Sequence, residues 1–214
     1  MHIQIFIYPG FTALDAIGPY EVLSRLPQAR VRFVAPEAGN VTADTGFLNL
    51  RAEAALSADD VPDLLILPGS PHDDRVRANP PLMALIARLV DASPRVATVC
   101  TGSLILAATG ALKGLPAVTH WADMETLAEL GARPVEQRWL SHGKFMIAAG
   151  VSAGIDMSLA LAAEMGGEAM AQCIQLGIEY DPQPPFDCGS VRSAPEAIVA
   201  ATRAAMDARN SALA

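Results

Sequence analysis

Cys100 is the side chain best suited to covalent chemistry, because it stands where a strand turns into a helix. The apolar, β-branched run 96–99 predicts a strand, and the Ala/Leu-rich stretch after Gly102 predicts a helix. A cysteine at such a corner projects above the sheet edge, beside the first N–H groups of the helix. Their partial positive charge favours a thiolate, so we expect a nucleophile whose pKa lies below the usual value of about 8.5. The alternative is a buried cysteine that packs as a small apolar side chain.

Other polar residues and glycines follow predicted strands and can meet Cys100 at one edge of the sheet. In a doubly wound sheet the active crevice lies at the carboxyl ends of the strands. The residues concerned are Asp15 after the first strand, Gly69 and Ser70 after the run 64–67, His120 after the run 117–119, and Gly150 and Ser152 after a hairpin.

Each of these residues has a chemical interpretation and a structural one. A carboxyl buried at Asp15 beside a thiolate has a raised pKa and can shuttle protons, whereas Asp15 as a helix N-cap would only stabilise a helix. The Thr101 hydroxyl lies within reach of a reacting atom, or it fills the first helical turn. The amides of Gly69 and Ser70 suit a developing anion, or Gly69 is only a turn glycine. His120 is a partner for Cys100, a substrate contact, or a packed structural histidine.

Strand-like runs alternate with helical segments, which predicts an α/β fold with a doubly wound, mostly parallel sheet sandwiched by helices and a small β-hairpin. The predicted strands are 3–7, 31–34, 64–67, 96–99 and 117–119, and the predicted hairpin joins 135–140 to 145–148 through a turn at 141–143. The predicted helices are 81–91, 153–166, 168–180 and 195–210. Because no repeat or long linker divides the chain, we expect a single domain over residues 1–214.

Composition excludes several classes of protein. Half of the 214 residues are hydrophobic and 18% are charged, which is typical of a well-buried globular chain. A formal net charge of −8 without any basic run disfavours nucleic acid as a partner. We expect no membrane span and no signal peptide. Three cysteines without CxxC spacing indicate a reduced, cytoplasmic protein. No metal-ligand or nucleotide-binding spacing occurs, so we expect neither metal nor cofactor.

Five segments together resemble the ThiJ/PfpI superfamily. They are GPYEV at 18–22, LPGS at 67–70, VCTGSLILAATG at 99–110, THW at 119–121 and AGVSAGIDMSLALAAE at 149–164. The resemblance implies a flavodoxin-like fold and a homodimer. It also implies a nucleophilic Cys100, an acid/base Asp15 and a required Thr101.

Within that superfamily, the segment around Asp15, the CTGSL elbow, THWA and IEYDPQPPF at 178–186 resemble the isonitrile hydratases. This implies hydration of an isonitrile to an N-substituted formamide without a cofactor. PfpI-type peptidases and glyoxalase-like relatives carry histidine where this chain has Thr101, which weakens a hydrolase interpretation. AraC-type regulators add a helix-turn-helix domain that we do not expect here. A cysteine-based redox or ligand sensor without turnover stays open.

Overall fold

The computed structural model describes the backbone of residues 1–212 and the side chains of residues 1–208. The chain forms two compact units, Met1–Ile178 and Glu179–Ala214. The expectation of a single domain over the whole chain therefore stays a prediction.

The first unit is built on a seven-stranded sheet with the order β10-β11-β7-β6-β1-β2-β5. Its strands are β1 (His2–Phe6), β2 (Arg30–Ala35), β5 (Ala54–Ala55), β6 (Leu64–Leu67), β7 (Arg95–Val99), β10 (Trp139–His142) and β11 (Phe145–Ala148). All neighbours pair in parallel except β10, which pairs antiparallel with β11. The four residues of β6 are all buried, as expected for a parallel strand covered on both faces. The predicted mostly parallel sheet is confirmed.

Helices flank this sheet in two packed groups. The helices of the first unit are α1 (Ala13–Leu23), α2 (Asp73–Arg77), α3 (Pro80–Ala92), α4 (Gly102–Ala108), α5 (Met124–Glu129), α6 (Ala153–Gly166) and α7 (Glu168–Gly177). Helix α6 packs on α1 and α7, while α2, α3 and α4 pack on one another. Helix α3 begins at Pro80, one residue before the predicted start, and the Asn79 side chain caps it by accepting a hydrogen bond from the N–H of Leu82 at 3.2 Å.

Three sequence predictions differ from the structure. The strand expected at 117–119 is only β8 (Pro116–Ala117), which pairs with β9 (Arg133–Pro134) outside the main sheet. A proline in each strand removes a donor and keeps this ladder short. The first strand of the hairpin is β10 (Trp139–His142) rather than 135–140, so the turn is confined to Gly143, with a φ of +60°, and Lys144. Helix α7 ends before residue 180, because Glu179 adopts a φ of +51°.

A second hairpin was not predicted from the sequence. It joins β3 (Gly39–Thr42) to β4 (Asn49–Ala52) in antiparallel register. Both strands expose about every second residue and carry polar side chains, so they lack the apolar runs that identified the main strands.

The second unit consists of an irregular stretch with turns, followed by helix α8 (Glu196–Ala212). None of the helices in the described part of the chain combines the length and the apolar composition that crossing a membrane requires.

Candidate active site

Three neighbouring strands bring the candidate residues together. β7 lies beside β6, and β6 lies beside β1, all in parallel. The loops that leave their carboxyl ends carry Cys100, Gly69 and the segment that leads to Asp15. Asp15 and Gly69 are joined by a hydrogen bond, and Asp15 and Cys100 are close enough for each to shift the pKa of the other.

Cys100 occupies a strained turn between β7 and α4. Its φ of +57° lies in the left-handed region, which costs a residue with a Cβ on the order of 1–3 kcal/mol. The turn is held on both sides of the residue: the Cys100 N–H donates to Ala148 O at 3.1 Å. The Cys100 carbonyl accepts from Ser103 Oγ at 3.0 Å and Thr119 Oγ1 at 3.2 Å. A Cβ on Gly102 would lie 1.9 Å from Leu67 O, so glycine is required after the elbow.

The expected depression of the Cys100 pKa is wrong. Burial raises the pKa of this thiol well above its usual value, and the nearby Asp15 carboxyl raises it further. The Thr101 N–H at the start of α4 lowers it, as the sequence interpretation required, but this effect is outweighed. Desolvation dominates because the residue is only 6% exposed. Cys100 therefore rests as a thiol.

Asp15 is a fully buried carboxyl, and it does not cap its helix. Thr12 occupies the N-cap position of α1, so the capping alternative is wrong. Asp15 Oδ2 accepts the Gly69 N–H at 2.9 Å. Its Oδ1 is buried and makes no hydrogen bond of normal geometry to any residue that the structure describes.

The environment of Asp15 keeps it protonated at neutral pH. Burial raises the pKa of Asp15 from 3.8 to about 8, and Asp44 adds to the rise. The Gly69 N–H and the Cys100 thiol oppose it. Each member of the Asp15–Cys100 pair shifts the pKa of the other, so the two side chains form one coupled acid–thiol pair.

Thr101 and the loop after β6 are bound to each other. Thr101 Oγ1 accepts the Ser70 N–H and donates to Ser70 O, both at 2.8 Å. The Ser70 hydroxyl donates to Gly10 O at 2.7 Å and accepts the His72 N–H at 2.8 Å. The amides of Gly69 and Ser70, which the sequence assigned to an anion, are thus engaged by Asp15 and Thr101. In this arrangement they fix the acid and the elbow.

His120 and Gly150 make their hydrogen bonds within their own turns. His120 caps the short 3₁₀ helix Trp121–Asp123: its Nδ1 accepts the Ala122 N–H at 3.4 Å and lies 3.6 Å from Asp123 Oδ2. The adjacent Thr119, rather than His120, bonds to Cys100. The Gly150 carbonyl accepts the Ala153 N–H at the start of α6, and a Cβ on Gly150 would meet open space. Their predicted roles as substrate contacts stay predictions.

Two residues near the pair were missed by the sequence analysis. Tyr8 is 2% exposed, and its hydroxyl donates to Pro68 O at 3.1 Å. Asp73, at the start of α2, bonds to Arg77 at 2.6 Å; burial raises the pKa of Asp73 to about 6 against the opposing effect of Arg77. Tyr8 is the second residue after β1, at the carboxyl edge of the sheet, so the rule that polar groups converge at that edge could have identified it.

Fold and site together define an α/β protein with a cysteine at a strained strand-to-helix elbow and a buried acid beside it. A family model described as the DJ-1/PfpI family matches residues 1–164. The chain belongs to the DJ-1/PfpI family.

Relatives and a solved structure of similar sequence extend the comparison. The chain is 38% identical to an isonitrile hydratase from Pseudomonas putida over 199 residues, which span 93% of this chain and 87% of that protein. It is 25% identical to the deglycase PfpI of Pyrococcus furiosus over 140 residues, which span 64% of this chain and 82% of that one. The crystal structure of a ThiJ/PfpI family protein from Pseudomonas syringae superposes with a TM-score of 0.91 at 34% identity, covering 99% of this chain and 89% of that one.

Proposed function

We propose that the protein is an isonitrile hydratase that converts isonitriles to N-substituted formamides through a covalent bond to Cys100. The observation that carries the proposal is the coupled pair of Asp15 and Cys100, in which Asp15 keeps its proton at neutral pH. An isonitrile carbon accepts a thiolate only when its own lone pair is protonated, so the reaction needs an acid at the nucleophile. The 38% identity to the Pseudomonas putida hydratase supports this substrate class.

In the first step, Asp15 donates its proton to the isonitrile carbon, and the Cys100 thiol passes its proton to the carboxylate that forms. The sulfur–carbon bond then gives a thioimidate, and Asp15 is protonated again. The carboxyl acts as a relay because Oδ2 is held by Gly69, while Oδ1 is left without a normal hydrogen bond among the described residues. A resting thiol is compatible with this step, since the thiolate is needed only as the carbon is protonated.

Hydrolysis of the thioimidate uses Asp15 again, first as a proton donor and then as a proton acceptor. Asp15 protonates the nitrogen and accepts a proton from the water that adds to the carbon. The carbon–sulfur bond breaks as the proton moves from the new hydroxyl, through Asp15, to sulfur. The products are the formamide and the Cys100 thiol, so one water is consumed for each isonitrile and the enzyme is regenerated. Thr101 positions the loop that holds Asp15.

This chemistry requires no cofactor, because the thiol and the carboxyl supply both the nucleophile and the proton. A redox sensor is the alternative function, and it needs an accessible thiolate. The buried Cys100 with its raised pKa favours the hydratase over that sensor. A cytoplasmic homodimer without nucleic-acid or membrane partners stays our expectation. Light scattering distinguishes one 22.4 kDa chain from two.

The test is turnover of an aryl isonitrile, followed by absorbance. The unmodified protein should turn over, and Cys100→Ser should lose at least about 10³-fold in kcat, because the nucleophile is removed. Cys173→Ser is the matched control, since Cys173 is exposed and free. Retained turnover in Cys100→Ser contradicts covalent catalysis. Stoichiometric consumption of peroxide without isonitrile turnover supports the sensor instead.

A further inference from the structure

The peptide unit between Pro68 and Gly69 is held at both of its polar ends. Tyr8 Oη donates to the carbonyl of Pro68 at 3.1 Å, and the Gly69 N–H donates to Asp15 Oδ2 at 2.9 Å. Carbonyl and N–H belong to one planar unit, and cis peptide bonds are absent from the described residues. In a trans peptide the two groups point in opposite directions. A hydrogen bond that fixes the carbonyl therefore fixes the direction of the N–H.

The next peptide unit, between Gly69 and Ser70, is also held at both of its polar ends, by Thr12 and Thr101. The Gly69 carbonyl accepts the Thr12 N–H at 2.9 Å, and the Ser70 N–H donates to Thr101 Oγ1 at 2.8 Å. Tyr8 thus supplies a constraint that Thr101 does not. The Tyr8 ring lies two residues beyond the end of β1, is 2% exposed, and has its centroid 5.4 Å from that of the Phe6 ring.

We propose that Tyr8 is a positioning residue for Asp15: its hydroxyl holds the Pro68 carbonyl so that the Gly69 N–H points at Oδ2, which leaves Oδ1 to carry the proton. The proposal rests on the proposed function of Asp15 as the acid. Donation to a carbonyl also polarises the peptide and strengthens the N–H at its other end as a donor. Tyr8 therefore acts on the acid through one peptide unit and without contact with the substrate.

Burial, aided by the neighbouring acidic groups, keeps Tyr8 a donor over the pH range in which Asp15 titrates. Burial raises the pKa of Tyr8 well above its ordinary value, and Asp73, Asp15 and Cys100 raise it further, while a side-chain interaction with Ser70 lowers it. The groups that act on Asp15 are Asp44, which raises its pKa, and the Gly69 N–H and Cys100, which lower it. Among these, Tyr8 acts on the Gly69 N–H.

Tyr8→Phe removes the hydroxyl and keeps the ring. The pKa of Asp15, read from the ¹³C carboxyl resonance in titrations of labelled protein, should rise because the Gly69 N–H that lowers it is weakened. The kcat for an aryl isonitrile should fall by about 5- to 10-fold, the equivalent of one hydrogen bond. The high-pH limb of the pH profile of kcat should move to higher pH, since activity needs the protonated form of Asp15. Tyr20→Phe is the matched control, because Tyr20 is exposed on α1.

An Asp15 titration in Tyr8→Phe that matches the Tyr20→Phe control overturns the proposal, even if the melting temperature falls, because a merely structural tyrosine would affect stability alone. If Tyr8→Phe does not fold, a fluorotyrosine placed at position 8 is the second test. Fluorine makes the phenol a stronger donor, so the pKa of Asp15 should then fall, and an unchanged pKa refutes the role. The resonance titration needs no turnover: a protein inactive on isonitriles refutes the proposed function and still tests Tyr8.

Discussion

Replacing Asp15 by asparagine removes the acid, and it should also remove a decline of folding stability that wild type shows as pH rises. Burial raises the pKa of Asp15 from 3.8 to about 8. Between those pH values the folded protein keeps this proton while the unfolded chain releases it. The resulting stabilisation is fully present below the unfolded pKa and is lost as pH rises through the folded pKa. Wild-type stability should therefore decline from about pH 4 to about pH 8.

The magnitude follows from the two pKa values. One pKa unit corresponds to about 1.4 kcal/mol, so a rise from 3.8 to about 8 is at most about 6 kcal/mol. About 4 kcal/mol of this lies between about pH 5 and about pH 9. That is a large share of the roughly 5–15 kcal/mol by which a domain is stable.

Urea denaturation at several pH values measures the effect in wild type, Asp15→Asn and Asp91→Asn, the last being an exposed control. Asparagine keeps an acceptor for the Gly69 N–H and stays neutral, so its curve should lack the decline of about 4 kcal/mol. Asp73, whose pKa burial also raises to about 6, contributes equally to both curves and cancels in the difference. Parallel curves for wild type and Asp15→Asn from about pH 5 to about pH 9 would refute the reasoning.

The same variant tests the coupling to the thiol. Burial and then Asp15 raise the pKa of Cys100, so removing the carboxyl charge should lower that pKa. Iodoacetamide rates against pH, measured with Cys173 and Cys188 both replaced by serine, should shift to lower pH. A profile that stays in place contradicts a coupled pair.

Two further substitutions test the framework of the site. Gly69→Ala places a Cβ 2.6 Å from Thr101 Oγ1 and 2.9 Å from Asp15 Oδ2, so isonitrile turnover should fall by about 10²-fold or more. The control is Gly177→Ala, because a Cβ at position 177 meets open space. Equal turnover in the two variants would contradict the close packing around Gly69. His120→Asn should lower the melting temperature by about 2–4 °C, with turnover per folded molecule largely kept, because the contacts of His120 lie within its own turn. A folded but inactive His120→Asn would instead indicate a Cys–His pair and favour a hydrolase.

The sequence was informative where a pattern is local. β6 was predicted with its observed bounds because four buried apolar residues in a row leave few alternatives. The elbow at Cys100 was predicted because a strand ends there and a helix begins at Gly102, two residues later. The meeting of Asp15 with the loop after β6 followed from the rule that parallel strands share a carboxyl edge.

Long-range contacts explain what the sequence did not predict. The direction in which the Cys100 pKa shifts depends on how completely the thiol is buried, and elements distant in the chain set that burial. The amides of Gly69 and Ser70 looked available because their partners, Asp15 and Thr101, are 54 and 31 residues away. The sequence analysis did not single out Tyr8, because its hydrogen bond to Pro68 joins residues 60 positions apart in the chain.

The cluster reconciles two requirements that oppose each other. An acid near neutral pH needs burial, and burial makes its charged form unfavourable and also suppresses the thiolate beside it. Protonating both groups resolves this, because a carboxylic acid and a thiol leave no charge in the pair at rest. In the proposed reaction, charge develops only as a substrate carbon takes up the proton, and the Gly69 N–H is already bound to the carboxyl group on which that charge forms. The strained elbow and the doubly held loop keep this geometry before any substrate arrives, so little reorganisation is left for the proposed reaction.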